Sequence, residues 1–244
     1  MRCFCGRPAR ESGFCPYHDP NCVKDLACRR KLVFTADCER CHLPGGEVSD
    51  VAPRLREARV HGPLFIYYVT GDVDLRGAGG IDLFIYSVRG NIYLEGARFR
   101  HIYIDQVVGD VDFRGGRAEL FAVFSVRGEI SAAGAKIGGH LQVVESSGRL
   151  DLTGAGVVGE IIVERFRGGV VARAGAYSIT ICGSRGDVDL SGARTTGDIV
   201  LVESEGGRLD LSGVEVGGRV FILASKFGGV RIDRPEVVRK IVVL

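Results

Sequence analysis

Gly71-Asp-Val-Asp-Leu-Arg-Gly-Ala78, Gly90-Asn-Ile-Tyr-Leu-Glu-Gly-Ala97 and Gly109-Asp-Val-Asp-Phe-Arg-Gly-Gly116 are three versions of one eight-residue phrase. The phrase returns at Gly128, Gly148, Gly169 (degenerate), Gly186, Gly207 and Gly228, with successive spacings of 19, 19, 19, 20, 21, 17, 21 and 21. A period near twenty marks a solenoid, in which each unit buries its apolar face only by stacking on its neighbours. Two and four residues after each marker glycine stand apolar pairs such as Val73/Leu75, Ile92/Leu94 and Leu209/Leu211. A second pair follows seven and nine residues on, as in Ala97/Phe99 and Ala155/Val157, and a third near twelve to fifteen, as in Leu83/Ile85 and Ile161/Val163. Alternation with period two means strands with one inward face. Three such pairs per unit predict an all-β, three-sided parallel β-helix of about nine turns over residues 62–244, on the order of 40 Å long at ~4.8 Å per turn.

The phrase Gly90-Asn-Ile-Tyr-Leu-Glu-Gly-Ala-Arg-Phe99 resembles pentapeptide-like β-helical proteins, and a three-sided coil of about twenty residues resembles the bactofilins. The second resemblance implies a self-assembling structural protein. Bactofilins usually carry disordered tails and no cysteine module, and this chain departs from them there. The hexapeptide pattern of left-handed acyltransferase helices is missing.

Seven of the eight cysteines precede residue 42, with His18 and His42 among them. Short pairs joined by longer loops bring two ligands from one turn to two from another around a tetrahedral metal. The first set is Cys3, Cys5, Cys15 and His18; the second is Cys22, Cys28, Cys38 and Cys41, with His42 as a substitute. A crossed pairing of Cys3 and Cys5 with Cys38 and Cys41 satisfies the same spacing. Two closed sets of four predict two structural Zn²⁺ sites in a module over residues 1–48. A disulfide cluster would need an oxidising compartment, and seven is an odd number. The stretch from Cys3 to His18 resembles the small zinc knuckles that precede other domains in microbial and phage proteins, which implies metal binding. Ser49 and Asp50 ahead of Val-Ala-Pro-Arg-Leu-Arg-Glu-Ala58 read as a capped short helix linking and covering the first coil over residues 49–61.

The net charge of +2 supplies no global field for nucleic acid or acidic lipid. No apolar run reaches the ~20 residues of a membrane helix, so the expected compartment is the cytoplasm. Two Asn, two Gln and one Met point toward a thermophilic source. Within residues 1–60 basic side chains outnumber acidic ones 11 to 8, and Arg29, Arg30 and Lys31 are the candidate contacts to nucleic acid or the ribosome.

Three residues past the marker, Asp74, Asp112, Asp151, Asp189 and Asp210 form an outward acidic column. Stacked carboxylates repel. The column therefore reads as a solubilising stripe on a flat β surface or as a docking face for a basic partner; calcium is disfavoured without an Asp-Gly-rich ligand loop. His61, His101 and His140 stand about two turns apart, too far to share a metal, and Cys182 reads as a buried small hydrophobe. Phosphate loops, HExxH and nucleophile elbows are missing. The expected function is a non-enzymatic scaffold or adaptor for a macromolecular partner. Its rivals are a polymer-forming structural protein and a nucleic-acid-binding factor. An apolar last strand, Ile241-Val-Val-Leu244, predicts a tail-to-tail homodimer.

Overall fold

The computed structural model describes residues 39–43 and 45–244. These residues form a parallel β-solenoid of about 11 turns. Three parallel ladders run its length. The flat one stacks Gly46–Ser49, Leu64–Thr70, Gly79–Arg89, Arg98–Val108, Arg117–Ser131, Lys136–Val144, Glu160–Glu164, Ser178–Cys182, Ile199–Val202, Val220–Leu223 and Ile241–Val243. A second ladder carries the Val73/Leu75-type pairs, and a third the residues in register with Arg59 and Arg98. Ten steps of ~4.8 Å make a stack about 50 Å long.

One core runs through the whole stack. Leu83, Ile102, Leu141, Ile161, Ile179 and Ile199 lie on one inner wall and are fully buried, and Phe113 and Phe121 stack at 4.5 Å between walls. Burial alternates with the pleat, as the period-two reading requires.

The count of nine turns is too low, and the helix expected over residues 49–61 is absent. That stretch is another coil. Leu55 N–H donates to the Asp74 carbonyl at 2.7 Å, Glu57 N–H to the Arg76 carbonyl at 2.8 Å, and Leu55 and Ala58 join the core. Pro53-Arg-Leu-Arg-Glu-Ala58 is thus the phrase Val73-Asp-Leu-Arg-Gly-Ala78 without its glycine. Glu57 occupies the left-handed corner at φ 53°, where Gly77 stands at φ 67°. Stacking on the next coil overrides the local cap signal. The coils begin earlier still, with His42–Leu43 in register with Arg59–Val60. The described helix, Pro235–Val238, is a single turn.

The marker glycine serves close approach. A Cβ on Gly109 would lie 2.2 Å from the Gly90 carbonyl oxygen, one coil away. The same column runs through Gly128, Gly148 and Gly168, so the degenerate unit is keyed by Gly168 rather than Gly169. Near the far end, Gly206 faces Phe227 rather than a glycine.

Candidate functional site: a charge-compensated corner and an arginine-lined groove

The acidic column does not stand bare. Each aspartate closes its corner by accepting the N–H two residues ahead. Arg114, Thr153, Ser191 and Ser212 donate to Asp112, Asp151, Asp189 and Asp210 at 3.1, 2.9, 2.9 and 2.9 Å. Arginines then neutralise the carboxylates. Asp74, only 6% exposed, receives Arg56 Nε at 2.6 Å and Arg76 through Nε at 2.9 Å and Nη2 at 2.6 Å. Asp112 is held by Arg114, Asp189 by Arg173, and Asp210 by Arg208 at 2.6 Å.

Burial pushes the Asp74 carboxyl up, but hydrogen bonds from Arg76 and Arg56 outweigh it and hold the pKa at about 2. The Arg114 hydrogen bond lowers Asp112 in the same way, against burial. Stacked-carboxylate repulsion, anticipated from the sequence, is relieved pair by pair.

A neighbouring column uses side chains to tie coils together. Asp72, Asn91 and Asp110 accept the N–H groups of Asn91, Asp110 and Glu129, each one coil on, at 2.8, 2.9 and 2.8 Å.

The opposite sign is treated differently. The flat ladder ends in a left-handed corner, inside the strand at Tyr68, Ser87, Gln106 and Ser125 and just past it at Glu145 and Arg165, with φ of 57, 56, 56, 52, 53 and 50°. Two residues beyond this corner lies a register column of Arg89, Val108, Arg127, Ser147, Arg167, Arg185 and Glu205. Corner and column bound a groove of about 780 Å³. Arg89, Arg127, Arg167 and Arg185 are exposed, and among the described residues none of them has an ion pair. Glu145 is the carboxylate in the lining, and it is bound to Arg165 at 2.8 Å.

A second, more open groove of about 830 Å³ runs beside the stacked Arg98, Arg117 and Lys136. Phe99, Ile137 and Val157 give it an apolar floor, and Glu119 also lines it.

Neither groove was visible as a unit in the sequence. The left-handed corner carries no glycine through most coils, and the arginines recur at one coil or two rather than at each repeat.

Of the eight expected zinc ligands, Cys41 lies within the described residues; Cys3, Cys5, Cys15, His18, Cys22, Cys28 and Cys38 lie outside them, as do Arg29, Arg30 and Lys31. Cys41 is fully buried against the first coil, and its carbonyl accepts Arg59 N–H at 2.7 Å. Among the described residues no three His, Cys, Asp or Glu side chains gather around a common point.

The three spaced histidines each meet a separate partner. His61 Nε2 contacts His42 Nδ1 at 3.0 Å, His101 meets Asp82 at 2.8 Å, and His140 Nδ1 accepts Glu160 N–H at 3.2 Å. Cys182 is half-buried on the outward face of the flat ladder, not in the core, because it occupies the register of Glu164 and Val202. No described helix is long and apolar enough to cross a membrane. The chain matches no protein-family model, and no curated sequence matches it.

Proposed function

We propose that this protein is a non-enzymatic scaffold: a rigid β-solenoid that holds a docking surface for a macromolecular partner, with a cysteine-rich head that carries two structural zinc ions. The observation that supports this reading most is the outward side of the flat ladder. Phe65, Phe84 and Tyr103 stack there with centroids 4.8 and 5.2 Å apart, and further along the same register column stand Ile162, Val200 and Phe221, half-buried, with Gln142 and Thr180 among them. An aromatic stack over three coils, backed by one core, is suited to holding a partner in fixed orientation. Exposed apolar side chains grouped in this way mark interaction sites.

Sedimentation of the zinc-loaded full chain over a concentration series tests the reading. A scaffold gives a fixed mass, either monomer or closed dimer. A dimer that Val243→Lys returns to monomer places two copies tail to tail through Ile241–Val243. Mass that keeps growing past the dimer, with rods visible by negative stain, replaces the scaffold with a polymer.

A further inference from the structure

We infer that the groove along the left-handed corner is a binding site for an extended phosphate polyanion, engaged through its phosphate oxygens alone. The inference does not depend on the scaffold reading.

It starts from a contrast within one molecule. Each aspartate of the acidic column is answered by hydrogen-bond donors, and all but the more distantly placed Asp151 by an arginine within 3 Å. Arg89, Arg127, Arg167 and Arg185 have no such ion pair among the described residues, although Arg167 and Arg185 are direct bridge partners on adjacent coils; on its other side Arg185 stands in register with Glu205 without an ion pair to it. Like charges placed opposite each other in a sheet are destabilising. An anionic ligand relieves that repulsion, and guanidinium groups suit it because they chelate phosphate oxygens in a two-pronged fashion.

The remaining lining is consistent with this ligand. Ser87, Gln106 and Ser125 add neutral donors between the arginines. Glu145, the carboxylate in the lining, is already bound to Arg165, and Glu205 stands one coil past Arg185, beyond the lining.

The class of polyanion follows from spacing and from what the lining contains. With ~4.8 Å per coil, the arginines stand at roughly 0, 10, 19 and 24 Å along the groove. Same-side residues of an extended peptide recur at ~6.7 Å, which does not keep step with that ladder. A chain with dense phosphate charge matches any spacing. Single-stranded nucleic acids are usually gripped by base stacking on aromatic rings; the lining of this groove contains none, and Tyr68, the aromatic residue of the corner series, stands one coil before Ser87 at its end.

The test titrates fluorescently labelled inorganic polyphosphate into the full chain. With four phosphate contacts and a slope of about −0.7 per contact, affinity falls roughly 50-fold between 50 and 200 mM salt. The double variant Arg127→Gln/Arg167→Gln halves the slope, leaving a fall of roughly 7-fold. Arg98→Gln/Arg117→Gln, in the other groove, leaves binding unchanged, and circular dichroism of both variants checks that the solenoid is intact. Binding that survives the first pair and is lost with the second overturns the assignment. So does absence of binding, equal binding of polyglutamate, or tighter binding of a single-stranded oligonucleotide of equal charge.

Discussion

Gly109→Ala and Gly115→Ala separate the two reasons a glycine occurs in this repeat. At Gly109 φ is 147°, and the new methyl would sit 2.2 Å from the Gly90 carbonyl oxygen and 2.6 Å from its carbon. Both obstacles are backbone, so no side chain can swing aside. Restoring an ordinary contact near 3.4 Å means opening the coils by more than 1 Å. That strains the bonds that cross this gap, from Gly90 N–H to the Val108 carbonyl at 3.0 Å and from Ile92 N–H to the Asp110 carbonyl at 2.8 Å. Two weakened hydrogen bonds at ~1 kcal/mol each, plus ~1–3 kcal/mol for an unfavourable φ, amount to about 3–5 kcal/mol. At Gly115 φ is 63°, and no atom lies within 4 Å of the added methyl. Only the left-handed penalty applies there, about 1–2 kcal/mol. Urea unfolding followed by far-ultraviolet circular dichroism reads the difference, with midpoint and slope fitted together because long arrays can unfold in segments. Equal losses at the two positions would refute the close-approach argument and leave backbone conformation as the whole reason for the marker glycine.

Asp74 sets a pH dependence. Its folded pKa of about 2 lies below the ~3.9 of an unfolded aspartate, so its contribution is complete above about pH 4 and is lost as pH falls toward 2. The wild type should lose about 2 kcal/mol more than Asp74→Asn over that interval, measured by urea unfolding at stepped pH; parallel curves would show that the Arg56 and Arg76 bonds contribute nothing. The metal reading predicts two zinc ions per full chain by elemental analysis, falling to one in Cys3→Ser/Cys5→Ser while the strand signal of the solenoid persists. Two zinc ions retained in that variant would exclude both cysteines as ligands, and a chain that carries no zinc as purified would remove the di-zinc head.

The period of twenty and the alternation within each unit carry the solenoid, because a coil that stacks on its neighbour needs an inward residue at every second position. Those features are local and repeat, so the sequence by itself determined an all-β parallel coil, its three sides and the buried identity of residues such as Leu83, Phe113 and Ile161. The first coils were missed for a physical reason. At residues 53–58 stacking on the Asp74 coil holds Pro53, Leu55 and Ala58 in the repeat conformation without a marker glycine, and a pattern search on glycine cannot see it. The functional surfaces were less legible: Arg76, Arg114 and Arg208 compensate aspartates two residues away in the same coil, but the remaining contacts depend on which residues become neighbours across coils. Asp74 meets Arg56 from eighteen positions away, whereas Arg127 and Arg167 form no ion pair among the described residues. A one-dimensional count showed a net charge of +2 and an apparent acidic stripe. Only the stacking of the coils decided that Arg56 and Arg173 reach aspartates on another coil while four arginines gather along one groove, because the register between turns sets the distances over which those charges act.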